Sequence, residues 1–263
     1  MKIAICLSGQ TTDYNSENMM HMFSNIFPSY EIDFYGHTWS DQQPPTNITD
    51  FYKFEQTDQS EIFENLKEDI WDMAPYQTWW NKHPDYLENP IDFVKQRIDI
   101  TFGQFVGHYS CIKLITNPMQ YDAIFRWRWD AIHTKDDQIH YASTYNNLIK
   151  DWIASQNNFS VNTEEKDNKI IKPILAETPM SVQINGKVFL RDNTFMFDAD
   201  AVVGMQEINI YEALKKAYQI QRPPREHSHL LWPLYFQSIG KFGIRSELPR
   251  TVVSKYMNIN TGT

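Results

Sequence analysis

A chain of 263 residues, 41% hydrophobic and 22% charged, has room for one substantial core, either a single large α/β domain or one domain with a small annex. The formal net charge of −9 argues against a general nucleic-acid binder, because phosphate backbones demand a positive surface. Cys6 and Cys111, far apart and without a C-x-x-C pair, exclude a disulfide framework or a zinc cluster and suit a reducing compartment.

Lys2 to Leu7 is a short apolar run ending at Ser8-Gly9-Gln10, the pattern of a buried strand that opens into a ligand loop. The start is too short for a signal-peptide core, and no apolar run approaches the roughly 18 residues a membrane helix needs. A cytoplasmic protein without a membrane span is expected. Residues 16 to 27 carry Met19, Met20, Met22, Phe23 and Ile26 at helical spacing, and Pro28 ends that segment. Glu31 to Trp39 is a second strand leading to Gly36-His37-Thr38-Trp39. Strand, helix, strand within forty residues is the opening of a doubly wound α/β sheet.

A short strand is expected over Phe51 to Phe54 and a helix over Gln59 to Asp72. Pro75 to Pro90, with Trp79, Trp80 and Tyr86, reads as an aromatic loop. Asp92 to Thr116 is the clearest long helix, weakened by Gly103 and Gly107. Asn117-Pro118 stops it before a strand over Tyr121 to Trp129. Residues 134 to 168 turn polar and read as surface helix and loop, the place where disorder is expected. Asn185-Gly186 marks a hairpin over Val182 to Leu190. Phe195 to Val203 is a strand or a strand-to-helix entry. Ile208 to Gln219 and His229 to Ile239 are helical, and Lys241 to Arg245 and Thr251 to Tyr256 are short closing strands.

In an open α/β sheet, ligands bind outside the carboxyl ends of the strands. Ser8-Gly9-Gln10, His37-Thr38-Trp39 and Arg128-Trp129-Asp130 all stand at such ends. Along Tyr121 to Asp130, Arg126, Arg128 and Asp130 share one face, and Phe125, Trp127 and Trp129 the other. Three charges on one face of a buried strand point to a polar cleft, since unpaired charges are costly to bury. Asp130 is the candidate ligand for Mn²⁺ or Mg²⁺, hard ions that share carboxylate and phosphate oxygens. Its alternative is an ion pair with Arg126 or Arg128. Asp198-Ala199-Asp200 is a rival metal site or a helix cap. Asp192 either meets an acceptor hydroxyl or pairs with Arg191. His227 and His229 offer a metal ligand or general base, or mark an exposed helix start. No G-x-S-x-G, P-loop or G-x-G-x-x-G occurs.

Ile3 to Gln10, Phe34 to Trp39 and Tyr121 to Asp130 resemble the GT-A-fold glycosyltransferases of bacteriophages, cyanophages especially, and of bacterial surface-glycan clusters. The likeness covers residues 1 to 135 and continues faintly through Arg191 to Phe195 and His229 to Leu231. It implies a GT-A-like, Rossmann-type mixed central sheet flanked by helices, in a single domain. Residues 1–135 would be the donor-binding half and 136–263 a smaller acceptor-side half. It also implies a UDP-sugar donor, a Mn²⁺ or Mg²⁺ ion, a glycan or other hydroxyl acceptor, and host cytoplasm for a phage-encoded chain.

By that resemblance Ser8, Gly9 and Gln10 line the nucleotide pocket, and His37 and Trp39 stand at the second strand end of the same site. Asp130 matches the last acid of the family's D-x-D element. Gln104, Tyr109 and Lys113 face the donor from the long helix. Arg128 stands where the first Asp of that element would be, so an arginine there neutralises phosphate instead. The reaction expected is transfer of the sugar, with Asp130-bound metal and Arg126 or Arg128 stabilising the departing diphosphate. Asp192 and His229 are then the candidate bases on the acceptor hydroxyl. The rival readings are a nucleotide-sugar-binding protein that has lost catalysis, and a nucleotidyltransferase.

Overall fold

The computed structural model describes residues 1–9, 11, 16–62, 64–65, 90–154, 174–177, 193–221, 232, 235–236 and 244–253, with side chains described for all of these except 16–18, 90–101, 217–221, 244–247 and 252–253. The strands are β1 (Lys2–Ser8), β2 (Glu31–Trp39), β3 (Lys53–Thr57), β4 (Ala123–Arg128), β5 (Ala131–Ile132), β6 (Ile174–Glu177), β7 (Thr194–Phe197), β8 (Ile244–Leu248) and β9 (Val252–Val253). The main helices are α1 (Ser16–Ile26), α2 (Pro90–Lys113), α3 (Lys135–Ala154), α4 (Ala199–Glu207) and α5 (Ile210–Gln221).

Among the described residues a seven-stranded sheet runs in the order β3-β2-β1-β4-β7-β6-β8. The pairings among β3, β2, β1 and β4 are all parallel. β7 runs antiparallel to both β4 and β6, while β6 and β8 pair in parallel. β5 and β9 form a separate antiparallel pair. The C-terminal ends of β1, β2, β4 and β6 therefore share one edge of the sheet with the start of β7. This is the mixed central sheet flanked by helices that the sequence leads one to expect.

Both faces of the sheet are covered, which is why β1 and β4 read as nearly continuous apolar runs. Ala4, Cys6, Tyr35 and Ile124 face one core layer with Phe102, Phe105 and Ile112 of α2, Val202 of α4 and Leu214 of α5. Ile3, Ile5, Leu7, Phe125 and Trp127 face the other, against Met22 and Phe23 of α1 and Tyr145 and Ile149 of α3. Fully burying one such side chain contributes about 1.5–3 kcal/mol, so the layers hold the sheet between helices without help from its edges.

Polar groups at the opposite edge of the sheet set the parallel register. The Lys2 ammonium lies 2.9 Å from the carboxylates of both Glu31 and Asp33. Tyr121 donates to Asp33 at 2.6 Å and lies 2.7 Å from the Tyr35 hydroxyl. The backbone N–H of Lys2 donates to Asp122. β1, β2 and β4 are thus tied together at their N-terminal ends, and a slip of one residue would break every link.

Several boundaries move from those expected. β3 begins two residues later than Phe51, which instead closes a 3-10 turn over Ile48–Asp50. The segment from Phe195 to Val203 divides at Asp198, whose carboxylate accepts from the Ala201 N–H at 2.7 Å and caps α4. In the polar stretch, residues 135–154 form the expected surface helix, and residues 155–168 lie outside the described residues. The hairpin over 182–190 and the aromatic loop over 75–89 lie outside the described residues.

Candidate functional site

The three parallel strand ends come together as a row. Ser8 is in register with His37 of β2 and with Arg128 of β4. All three continue the alternation of Cys6, Tyr35 and Arg126, so their side chains lie on the α2 face. The chain then turns away from β1 through Gly9, whose φ of 117° is a conformation that side-chain-bearing residues rarely adopt. Thr38 donates its hydroxyl to the Gly9 carbonyl at 3.1 Å, and the Trp129 indole donates to the His37 carbonyl at 2.8 Å. The loops leaving β1, β2 and β4 are therefore hydrogen-bonded into one frame.

α2 approaches this row closely. A Cβ on Gly107 would stand 3.3 Å from His37 Nδ1, and one on Gly103 would stand 3.5 Å from the Trp39 ring. Ser8 and His37 are buried, and Gln104 is partly buried between the two glycines. His37 Nε2 lies 2.8 Å from the Thr57 hydroxyl. Among the described residues, Ser8 Oγ, His37 Nδ1 and Gln104 Oε1 have no hydrogen-bond partner. Buried polar atoms ordinarily find partners, so these three atoms are the candidate ligand contacts of the strand-end row. Burial pushes the His37 imidazole down to about 4, so at neutral pH the ring is uncharged.

Arg128 and Asp130 form a bidentate pair, with Nε to Oδ1 at 2.8 Å and Nη2 to Oδ2 at 2.7 Å. Their side chains remain 24% and 13% exposed, so the pair stands at the mouth of the site. The metal role expected for Asp130 meets a competitor here, because both carboxylate oxygens already accept from arginine. Among the described residues no group of three or more His, Cys, Asp or Glu side chains could hold a metal ion. Among the described residues of the strand ends, the expected oxygen ligand for Mn²⁺ or Mg²⁺ is the Asp130 carboxylate, and Arg128 engages both of its oxygens.

The other expected residues scatter. Arg126 is not at the mouth: it is 1% exposed, with its guanidinium 5.2 Å from the Trp232 ring centroid and 5.8 Å from that of Phe195. Trp39 is 3% exposed, and its ring is spent on α2 and on an edge contact with His37 at 5.1 Å. It forms part of the wall rather than an open stacking surface. Tyr109 donates to the Ile208 carbonyl at 2.8 Å, and the Lys113 ammonium lies 4.8 Å from the Tyr109 ring centroid. Lys113 is thus near the far end of α2, roughly 13 Å along the axis from Gln104 at 1.5 Å per residue, and the structure brings neither residue to the strand ends.

Asp198 and Asp200 do stand at a strand end, but β7 runs antiparallel, so they occupy the opposite edge from Ser8 and Arg128. Gln10, Asp192, His227 and His229 lie outside the described residues. Sequence reasoning missed Thr38 as a loop tie and His108, buried one turn after Gln104 on α2. The four-residue spacing from Gln104 was the signal available for His108.

No family model matches the chain, and no curated protein matches it. Among solved structures it is similar to mouse xyloside xylosyltransferase 1 in its apo form, with a TM-score of 0.37 and 8% identity over 93% of this chain and 83% of that one. A likeness at that level transfers no residue roles, and it lends nothing to the bacteriophage resemblance. Among the described residues no helix is long and apolar enough to cross a membrane.

Proposed function

We propose that this chain is a glycosyltransferase that takes a nucleoside-diphosphate sugar, UDP-linked, at the C-terminal ends of β1, β2 and β4 and passes the sugar to a hydroxyl acceptor on a glycan. One observation carries this reading: the strand-end row in which Ser8 Oγ, His37 Nδ1 and Gln104 Oε1 lack partners among the described residues, beside a partly exposed arginine at the next strand end. Open parallel sheets bind ligands at this position.

In this reading the polar atoms of Ser8, His37 and Gln104 hydrogen-bond the nucleoside, and the backbone at Gly9 makes room for it. Arg128 faces the diphosphate. As the bond from the anomeric carbon to the diphosphate oxygen breaks, negative charge collects on that oxygen, and a guanidinium already in place stabilises it. Asp130 holds the guanidinium plane in position through its two hydrogen bonds. Asp192 and His229 are the groups we assign to the acceptor hydroxyl.

The experiment is a thermal-shift titration with UDP, GDP, CMP and NAD, each with and without Mn²⁺, since a ligand that binds only the folded state raises the melting temperature. Metal-independent stabilisation by UDP that disappears in Arg128→Ala is the expected result. Stabilisation that requires Mn²⁺ and vanishes in Asp130→Ala would return the metal to Asp130. No response to any nucleotide would sink the donor-site reading. The closed Arg128–Asp130 pair favours a second reading, a nucleotide-sugar-binding protein without catalysis. Release of UDP from a UDP-sugar separates the two.

A further inference from the structure

The strand-end row does not stop at Arg128. β7 pairs with β4 so that Trp127 stands opposite Thr194, and one step further the Arg128 backbone N–H donates to the Asn193 carbonyl at 3.0 Å. Phe195 and Phe197 belong to the core layer that packs on α2, and the Phe195 ring centroid lies 5.8 Å from the Arg126 guanidinium. Alternation therefore turns Asn193, two residues before Phe195, to that same face, beside Arg128. Along the face the row reads His37, Ser8, Arg128, Asn193, one residue each from β2, β1, β4 and the entry to β7. Asn193 is 9% exposed, so its amide stands at the edge of the site and not in the core.

The order of the row carries chemical information, given the donor-site reading on which this inference rests. That reading assigns the nucleoside to Ser8, His37 and Gln104 and the diphosphate to Arg128. A nucleotide sugar is linear in the same order, so its sugar falls on the side of Arg128 away from Ser8. Neighbouring strands lie about 4.8 Å apart, which places Asn193 one strand beyond the diphosphate. We propose that Asn193 is the specificity-determining residue for the donor sugar, hydrogen-bonding its hydroxyl groups. A carboxamide donates through nitrogen and accepts through oxygen without carrying charge. It therefore matches a neutral hydroxylated ring, while the guanidinium beside it answers the phosphate charge. A site that hydrogen-bonds a particular hydroxyl discriminates against sugars that lack or misplace it, because its own polar group is then left unpaired. The tie between Asn193 and Arg128 runs through the backbone, so a change of the side chain leaves that tie in place.

The test is a calorimetric titration of the full chain and of Asn193→Ala with UDP, UDP-glucose, UDP-galactose and UDP-N-acetylglucosamine. UDP alone should bind parent and variant equally. At least one of the three sugar nucleotides should bind the variant about three- to tenfold more weakly, the range of a single neutral hydrogen bond. In the parent, the side-chain amide ¹⁵N–H signals of Asn193 should move with that sugar nucleotide and stay in place with UDP. Equal binding of all three sugar nucleotides by parent and variant, while UDP binds, would overturn the assignment and leave the donor site standing. An equal loss for UDP and for the sugar nucleotides would also overturn it, since Asn193 would then act on the diphosphate or on the fold. A parent that binds no nucleotide would overturn the donor site and this assignment together. Should the variant fail to fold, the Asn193 signals of the parent decide by themselves, and signals indifferent to the sugar would count against the assignment.

Discussion

Arg128 is the residue on which the proposed chemistry turns, and its neighbour Asp130 decides how it presents itself. The bidentate pair aims the guanidinium but also shares its charge. Hydrogen bonds to a charged group contribute about 1.5–3 kcal/mol. Replacing Arg128 by Ala should therefore weaken UDP binding by tenfold or more, whereas Asp130→Asn should cost less, because the arginine stays. A fluorescence or calorimetric titration of both variants checks the order, and the reverse order would put a metal back on Asp130. Gly9 offers a cleaner case of backbone cost. An added Cβ meets nothing nearer than the Trp129 ring at 4.0 Å, so Gly9→Ala tests conformation alone. At a φ of 117° a strained residue costs about 1–3 kcal/mol, and urea denaturation should show a loss of that order.

At the scale of elements, the two glycines of α2 behave differently although both weaken a helix. Gly→Ala in a helix interior gains about 1 kcal/mol by propensity. At Gly103 the new Cβ makes an ordinary contact at 3.5 Å, so Gly103→Ala should stabilise by up to about that amount. At Gly107 it presses His37 Nδ1 at 3.3 Å, and the gain should vanish or reverse. Urea midpoints of the two variants, compared side by side, decide this. The sequence showed both glycines as helix breakers but not why they stand there, because the packing partners, Trp39 and His37, lie some seventy residues earlier. β1 and β4 were legible for the opposite reason: strands buried on both faces are written as apolar runs. β6 escaped notice, since Ile174-Leu175-Ala176-Glu177 is too short a run to tell from a helix segment. The D-x-D at Asp198 shows a further limit. Its place at a strand end could be read, but the direction of that strand depends on pairing with β4, which no local pattern reveals. Asp198→Ala should accordingly cost about 1 kcal/mol through the lost cap and leave nucleotide affinity unchanged.

For the whole molecule, buried histidines on both faces of the sheet link its stability to acid. His37 lies on the α2 side. His133 lies on the other, where its ring nitrogens meet the Arg250 carbonyl at 3.1 Å and the Tyr145 hydroxyl at 3.0 Å. Burial holds both imidazoles down to about 4, against about 6.5 for an unfolded histidine. Between those values the unfolded chain binds protons that the folded one refuses, so stability rises with pH across the window. The contribution is complete above about 6.5 and is lost progressively as pH falls toward 4, where the folded rings protonate as well. Each ring contributes at most a few kcal/mol by this route. His108, held well below its ordinary range by burial and then by Arg126, steepens the same slope in the same direction. Urea midpoints at pH 7, 6 and 5, at constant ionic strength, should fall monotonically. His133→Gln should lower the midpoint at pH 7 and flatten its dependence on pH. An unchanged slope in that variant would mean that His133 is solvated in solution and that the α1–α3 layer opens more readily than its packing implies. A flattened slope would instead show that acid acts on this layer through one ring, the one that joins the end of β5 to α3 and to the segment just before β9.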